Sequence, residues 1–293
     1  MFTGVGTALI TPFDKDLNVD YKALRKICKQ QVEGKVDAII VLGTTGEAAV
    51  INNDERKKIT ETIQEEVNGK AKIILGTGTN NTRHVVELNK IAEDQKADGV
   101  LIVNPYYNKG TQDSLVEHYK YISERTVLPI ILYNVPSRTG MNMLPETIIK
   151  VADACKNVVG IKEACGNISQ IAHLFSIKKD NLSVFSGNDD QTLPIMALGG
   201  AGIISVFSNS YPKELKKLTN SITGNDFKSA QRLNNKYLSM MNAMFVETSP
   251  SPIKYVMNKL GLCENILRLP LAPVSKKTEA LLDKEIENLG KLN

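Results

Sequence analysis

Eight short apolar runs recur along the chain, at 5–10, 38–42, 72–75, 99–103, 129–133, 158–161, 182–185 and 202–206. Most are continuous and not alternating, the pattern of parallel strands covered on both faces. Segments of helical period separate them. Leu24, Ile27 and Cys28 share one face after Asp20, the expected N-cap. Ile59, Ile63 and Val67 share another after Asn53-Asp54, and Leu115, Tyr119 and Ile122 a third after Asp113-Ser114. A short polar side chain before an apolar-periodic stretch is a helix-start signal, because it accepts a hydrogen bond from an otherwise orphaned backbone N–H.

Eight strands, each followed by a helical pattern, predict an α/β fold, a closed (β/α)8 TIM barrel. A doubly wound open sheet also alternates strand and helix, and periodicity alone leaves it open. After Tyr211 the strand signals stop. Segments near 213–222, 226–240, 252–260 and 276–289 read as helices. The expected organisation is a barrel over residues 1–224 that carries the active site, with a C-terminal helical appendix over 225–293.

Composition narrows the picture. A chain of 293 residues with 42% hydrophobic content can bury the core of one such barrel. The 36 basic and 32 acidic side chains leave a formal net charge of +4, scattered in pairs such as Lys57-Lys58. That favours small anionic substrates over nucleic acid. Cys28, Cys155, Cys165 and Cys263 form no Cys-x-x-Cys pair and read as free thiols in a reducing cytoplasm. His84, His118 and His173 lie far apart, without zinc spacing, so no metal is expected. The N-terminus lacks a signal-peptide pattern. The uncharged stretch 191–212 is long enough to span a bilayer, but Pro194, Gly199, Gly200 and Gly202 interrupt it. It reads as a buried helix, a turn and a buried strand, and no membrane partner is expected.

In barrel enzymes the chemistry sits at the C-terminal strand ends. Strand two ends in Gly43-Thr44-Thr45-Gly46-Glu47, either an anion cradle of backbone N–H groups and hydroxyls or a plain glycine-rich turn. Strand four is followed by Asn104-Pro105-Tyr106-Tyr107-Asn108-Lys109. Strand five ends in Tyr133-Asn134-Val135-Pro136-Ser137-Arg138-Thr139-Gly140. Alone, Tyr133 reads as packing and Arg138 as surface. Strand six, Val158-Val159-Gly160-Ile161-Lys162-Glu163, changes both readings. An unpaired lysine at the end of an apolar run is costly to bury. Gly160 and Lys162 share a face, with the glycine leaving space below the lysine. Neighbouring strands lie about 4.8 Å apart, so Tyr133 and Lys162 would sit side by side. A confined amine is a candidate nucleophile, and a phenol beside it can shuttle protons.

Together, in this order and spacing, the motifs at 43–47, 104–109, 133–140 and 160–164 resemble the pyruvate-dependent class I aldolases. That superfamily includes N-acetylneuraminate lyase and dihydrodipicolinate synthase, and the match covers nearly the whole chain. Within it, Arg138 in Pro-Ser-Arg-Thr-Gly favours the synthase branch. The resemblance implies condensation of pyruvate with L-aspartate 4-semialdehyde, an early step toward diaminopimelate and lysine, with no metal or organic cofactor. It implies Lys162 as the Schiff-base lysine and Tyr133 as the proton relay. Thr44 and Tyr107 would be the relay partners, Tyr107 coming from a neighbouring subunit of a homo-oligomer, commonly a tetramer. Thr45 would bind the pyruvate carboxylate and Arg138 that of the second substrate. Gly187 and Ile203 would line the pocket with backbone. Cys165 departs from the hydroxyl residue expected there, and Gly110 from a proline. Ala48, Asn53, Arg56 and His84 depart from the residues with which lysine-sensitive members bind lysine, which implies weak or absent inhibition by that end product.

Overall fold

The structure, a computed structural model, describes residues 2–291. Eight strands pair in chain order as a closed barrel. They are β1 (Gly4–Ala8), β2 (Ala38–Val41), β3 (Lys72–Gly76), β4 (Gly99–Val103), β5 (Ile130–Asn134), β6 (Val158–Glu163), β7 (Ser183–Ser186) and β8 (Gly202–Ser205). Each coincides within a residue or two with an apolar run, and closure rules out the open sheet. The helices between them are α1 (Tyr21–Glu33), α2 (Asn53–Val67), α3 (Thr82–Asp94), α4 (Gln112–Ser123), α5 (Pro136–Thr139), α6 (Pro145–Ala154), α7 (Ile168–Ile177) and α8 (Thr192–Ala197). After β8 come α9 (Pro212–Thr223), α10 (Phe227–Ala243), α11 (Ser251–Lys259) and α12 (Lys276–Lys291).

The chain forms two compact units, one built on Ile73–Ile204, the other on Gly4–Lys72 with the chain from Ser205 onward. In the first, the strands pair in parallel from β3 to β8 and bury Ile74, Val100, Ile131, Leu132, Ile161 and Ile203 completely. In the second, β1 pairs with β2 and the core includes Val5, Phe13, Leu24, Ile39, Phe207, Met240 and Ile253. Here α12 packs on α10 and α11, and α9 on β1. Each fully buried Leu or Ile contributes about 1.5–3 kcal/mol, so both units hold ample apolar driving force.

Two helix starts differ from the sequence reading. Asp20 caps α1 as expected, accepting from the Ala23 N–H at 2.9 Å. The cap of α2 is Asn52, not Asn53-Asp54: Asn52 Oδ1 accepts from the Glu55 N–H (2.9 Å), and the Glu55 carboxylate accepts from the Asn52 N–H (3.2 Å). The cap of α4 is Thr111, which accepts from the Ser114 N–H at 3.2 Å. In both cases the acidic residue lies inside the first turn, where it meets the positive end of the helix dipole, and the cap stands before it. The uncharged stretch 191–212 resolves into α8, β8 and the short turn Phe207–Asn209. Among the described residues no helix is long and apolar enough to cross a membrane.

Candidate active site

The pairing of β5 with β6 brings the chemistry together. Their register sets Tyr133 against Lys162 and Asn134 against Glu163. Alternation along a strand puts the first pair on one face and the second on the other. Lys162 is only 4% exposed, and its Nζ lies 4.3 Å from the centroid of the Tyr133 ring. No carboxylate among the described residues comes within ion-pair distance of it. A buried amine with its donors uncommitted is expensive for a fold to carry; a substrate carbonyl would use it.

Two glycines shape the space around this lysine. A Cβ on Gly187 would stand 3.1 Å from Lys162 Cγ and 2.7 Å from Ala164 Cβ, so only glycine leaves the lysine stem its path. A Cβ on Gly160 would stand 2.9 Å from the Ser183 carbonyl and 3.3 Å from the Phe185 ring. The room expected below Lys162 is therefore taken by Phe185, which stacks on Phe2 with centroids 4.5 Å apart. Ile203 is fully buried on β8, paired in register with Ser186 of β7.

The opposite face of the same strand pair carries a hydrogen-bonded network that the sequence reading missed. Asn134 Nδ2 donates to Glu163 Oε1 (3.0 Å) and to Asn142 Oδ1 (2.9 Å). Asn134 Oδ1 accepts from Asn104 Nδ2 (3.1 Å) and from the Met143 N–H (2.9 Å). The Tyr119 hydroxyl donates to Asn104 Oδ1 at 2.9 Å. Glu163 also accepts from the Cys165 N–H at 2.8 Å. Burial pushes the Glu163 carboxyl up, opposed by the Asn134 amide. Such a network, satisfied at each step, locks the β5–β6 register, and that register seats Lys162 on Tyr133. Its only signal in sequence was that Asn134 and Glu163 each follow a candidate catalytic residue. Burial, reinforced by Glu163, pushes the neighbouring Cys165 thiol up to about 12, which keeps it from acting as a thiolate nucleophile.

The remaining candidates lie on loops after the strands. Thr44 and Thr45 form a 3-10 turn after β2, with Thr45 buried. The turn is bracketed by Leu42 (φ 54°) and Glu47 (φ 55°), two side-chain-bearing residues in the left-handed region. Arg138 is exposed on α5, immediately past β5. Tyr107 is 91% exposed, has φ 68°, and its hydroxyl has no hydrogen-bond partner among the described residues. Of the positions tied to lysine sensitivity, Arg56 is buried, and His84 is half-buried and bonded through Nδ1 to Glu87 at 2.8 Å.

A closed parallel barrel with an uncommitted buried lysine against a tyrosine ring at a strand end defines a class, the Schiff-base aldolase-type barrels. Comparison with known proteins carries this further: the chain belongs to the dihydrodipicolinate synthetase family, whose model matches residues 1–289. It is 49% identical over 295 residues to 4-hydroxy-tetrahydrodipicolinate synthase of Thermotoga neapolitana, and 46% identical over 293 residues to that of Fervidobacterium nodosum. Both alignments cover 100% of each chain. Among solved structures, dihydrodipicolinate synthase of Thermotoga maritima superposes with a TM-score of 0.97 at 47% identity, covering 99% of both chains.

Proposed function

We infer that this enzyme is a lyase that condenses pyruvate with L-aspartate 4-semialdehyde to give 4-hydroxy-tetrahydrodipicolinate, in the diaminopimelate route to lysine. The observation that carries the chemistry is Lys162, buried on the Tyr133 ring with no carboxylate partner among the described residues. Its Nζ attacks the pyruvate ketone carbon, and water leaves to give an imine. The positive imine nitrogen acidifies the adjacent methyl group, which loses a proton to form an enamine. The enamine carbon attacks the aldehyde carbon of the second substrate. The adduct cyclises and leaves Lys162 free. The lysine nitrogen is itself the electron sink.

Tyr133 relays protons at the imine, with Thr44 and Tyr107 as its partners, and Thr45 binds the pyruvate carboxylate. Gly187 and Ile203 present backbone to the bound substrate. Tyr107 acts from a neighbouring subunit of a homo-oligomer, a dimer of dimers. Its near-complete exposure and left-handed backbone support this, because an exposed aromatic held in a costly conformation suits a surface met by a partner. Arg138 receives the carboxylate of the semialdehyde through two parallel hydrogen bonds, a geometry matched to guanidinium, and its exposure suits a substrate that enters second. The buried free thiols Cys28, Cys155 and Cys263 suit a reducing cytoplasm. Lysine inhibits weakly or not at all, because Arg56 and His84 offer no carboxylate to its ammonium; inhibition at submillimolar lysine would overturn this.

The deciding experiment measures condensation with both substrates, with cleavage of N-acetylneuraminate alongside, for the wild type and Arg138→Ala. The expected result is condensation only, and a KM for the semialdehyde raised about tenfold or more in the variant with pyruvate capture retained. Cleavage of the sugar acid, or unchanged Michaelis constants, would overturn the assignment of substrate.

A further inference from the structure

We propose that Lys254 is a positioning residue: from α11 it holds Glu47, and through Glu47 the turn that presents Thr44 and Thr45 to substrate. Lys254 is completely buried, and its Nζ pairs with Glu47 Oε1. It also donates to the Ile266 carbonyl at 2.9 Å and lies 4.1 Å from the centroid of Phe13. Glu47 Oε2 accepts from the Arg268 backbone N–H at 3.2 Å. The Arg268 guanidinium lies 4.4 Å from the same Phe13 ring and bonds the carbonyls of Leu17 (2.8 Å) and Val50 (2.9 Å) and Glu55 Oε2 (2.9 Å). Segments far apart in sequence thus converge on one carboxylate.

That carboxylate sits at a strained point. Glu47 and Leu42 close the two ends of the turn with left-handed backbone, which residues with side chains adopt only where their surroundings hold them there. Between them the Gly46 N–H bonds the Gly43 carbonyl (3.0 Å), the Glu47 N–H bonds the Thr44 carbonyl (3.1 Å), and the Thr11 hydroxyl donates to the Gly46 carbonyl (2.7 Å). The hydroxyls of Thr44 and Thr45 make no hydrogen bond to the described residues, so the turn is fixed while its donors stay uncommitted. A buried ion pair is a poor device for stability alone, since apolar residues of like volume often serve as well. Fixing one turn conformation is what the charged pair adds, and it gives the C-terminal helices a part in pyruvate binding.

The inference builds on the reading of Thr45 as the pyruvate carboxylate ligand, so three variants are measured together: Lys254→Met, the double variant Glu47→Gln/Lys254→Met, and Thr45→Val. The double variant removes both buried charges and keeps a folded protein available should the single one fail to fold. The readouts are kcat, KM for each substrate, and borohydride trapping of pyruvate on Lys162 across pyruvate concentrations. The expected result for the double variant is a KM for pyruvate raised about tenfold, kcat at saturating pyruvate within about threefold, and an unchanged KM for the semialdehyde. A folded double variant with wild-type KM for pyruvate, alongside a raised KM in Thr45→Val, overturns the role of Lys254 and spares that of Thr45. An unchanged KM in Thr45→Val overturns the Thr45 reading and the inference with it. Equal loss in kcat and in both Michaelis constants marks a general structural role and likewise overturns it.

Discussion

Lys162 on β6 and Lys254 on α11 are both buried, and each rests its Nζ on an aromatic ring, Tyr133 at 4.3 Å and Phe13 at 4.1 Å. Their remaining neighbours differ. Lys254 meets a carboxylate and a carbonyl that take up its donors. Burial pushes its ammonium down, and Glu47 opposes that. Lys162 meets the Tyr133 ring and, among the described residues, no carboxylate, and its neighbour along the strand, Glu163, points to the other face. Burial therefore says little about what a lysine does. The bonding capacity that the protein leaves unfilled decides: where it is filled, the side chain holds structure, and where it is left open, a substrate completes it.

The sharpest break in this comparison is Lys162→Met. It removes the proposed nucleophile and leaves no charge behind, so the expected fall in activity is about 10⁴-fold or more, with stability within about 1 kcal/mol of wild type. Pyruvate with borohydride labels the wild type at Lys162 and leaves the variant unlabelled; a label that persists on another lysine would move the nucleophile. Tyr133→Phe keeps the ring under Lys162 and deletes one hydroxyl. Turnover drops about 10²–10⁴-fold with unfolding unchanged, and near-wild-type turnover would remove Tyr133 from the proton relay.

Lys254→Met is expected to do the reverse in stability. It leaves the buried Glu47 carboxylate with the Arg268 N–H but without its ammonium, and breaking one partner of a buried pair costs about 3–5 kcal/mol; chemical denaturation reads this directly. A loss below about 1 kcal/mol would mean that Glu47 finds water or another donor. A third buried base is His118 on α4. Its Nδ1 bonds the Thr82 hydroxyl at 2.9 Å, and its Nε2 has no partner among the described residues. Burial pushes its pKa down to about 4. The unfolded chain takes up this proton near pH 6.5 and the folded chain only near 4. Stability from this group is therefore complete above about pH 6.5 and is lost as pH falls toward 4, by at most about 3 kcal/mol. His118→Phe should flatten that slope in denaturation curves measured between pH 7 and 4. An unaltered slope would place the acid sensitivity elsewhere.

Most of the barrel and the main line of its chemistry were legible in the chain itself. Continuous apolar runs mark strands covered on both faces, and their alternation with helical periods fits a closed barrel, because both are short-range patterns. Lys162 was visible as a charge ending such a run, and Tyr133 as its counterpart one strand earlier. Thr44 and Thr45 were readable as part of a possible anion cradle, whereas Tyr107 and Arg138 were readable only as motif members, since a tyrosine or an arginine on a loop carries no local sign of a task.

What tertiary structure alone decided is who meets whom. The helix caps moved to Asn52 and Thr111 because a cap is chosen by backbone direction at the turn, which composition does not encode. The Tyr133–Lys162 register depends on pairing between segments about thirty residues apart, and barrel closure on bringing the last strand to the first, at opposite ends of the series. Lys254 had no signal as a partner of Glu47: a lysine in a helix reads as solvated surface, and its counterpart lies 207 positions away. Apolar periodicity is written locally, because one face of one element must avoid water whatever covers it. The pairing of buried polar groups is a property of the assembled interior, where each donor must find the acceptor that the fold, and not the neighbouring sequence, brings within reach.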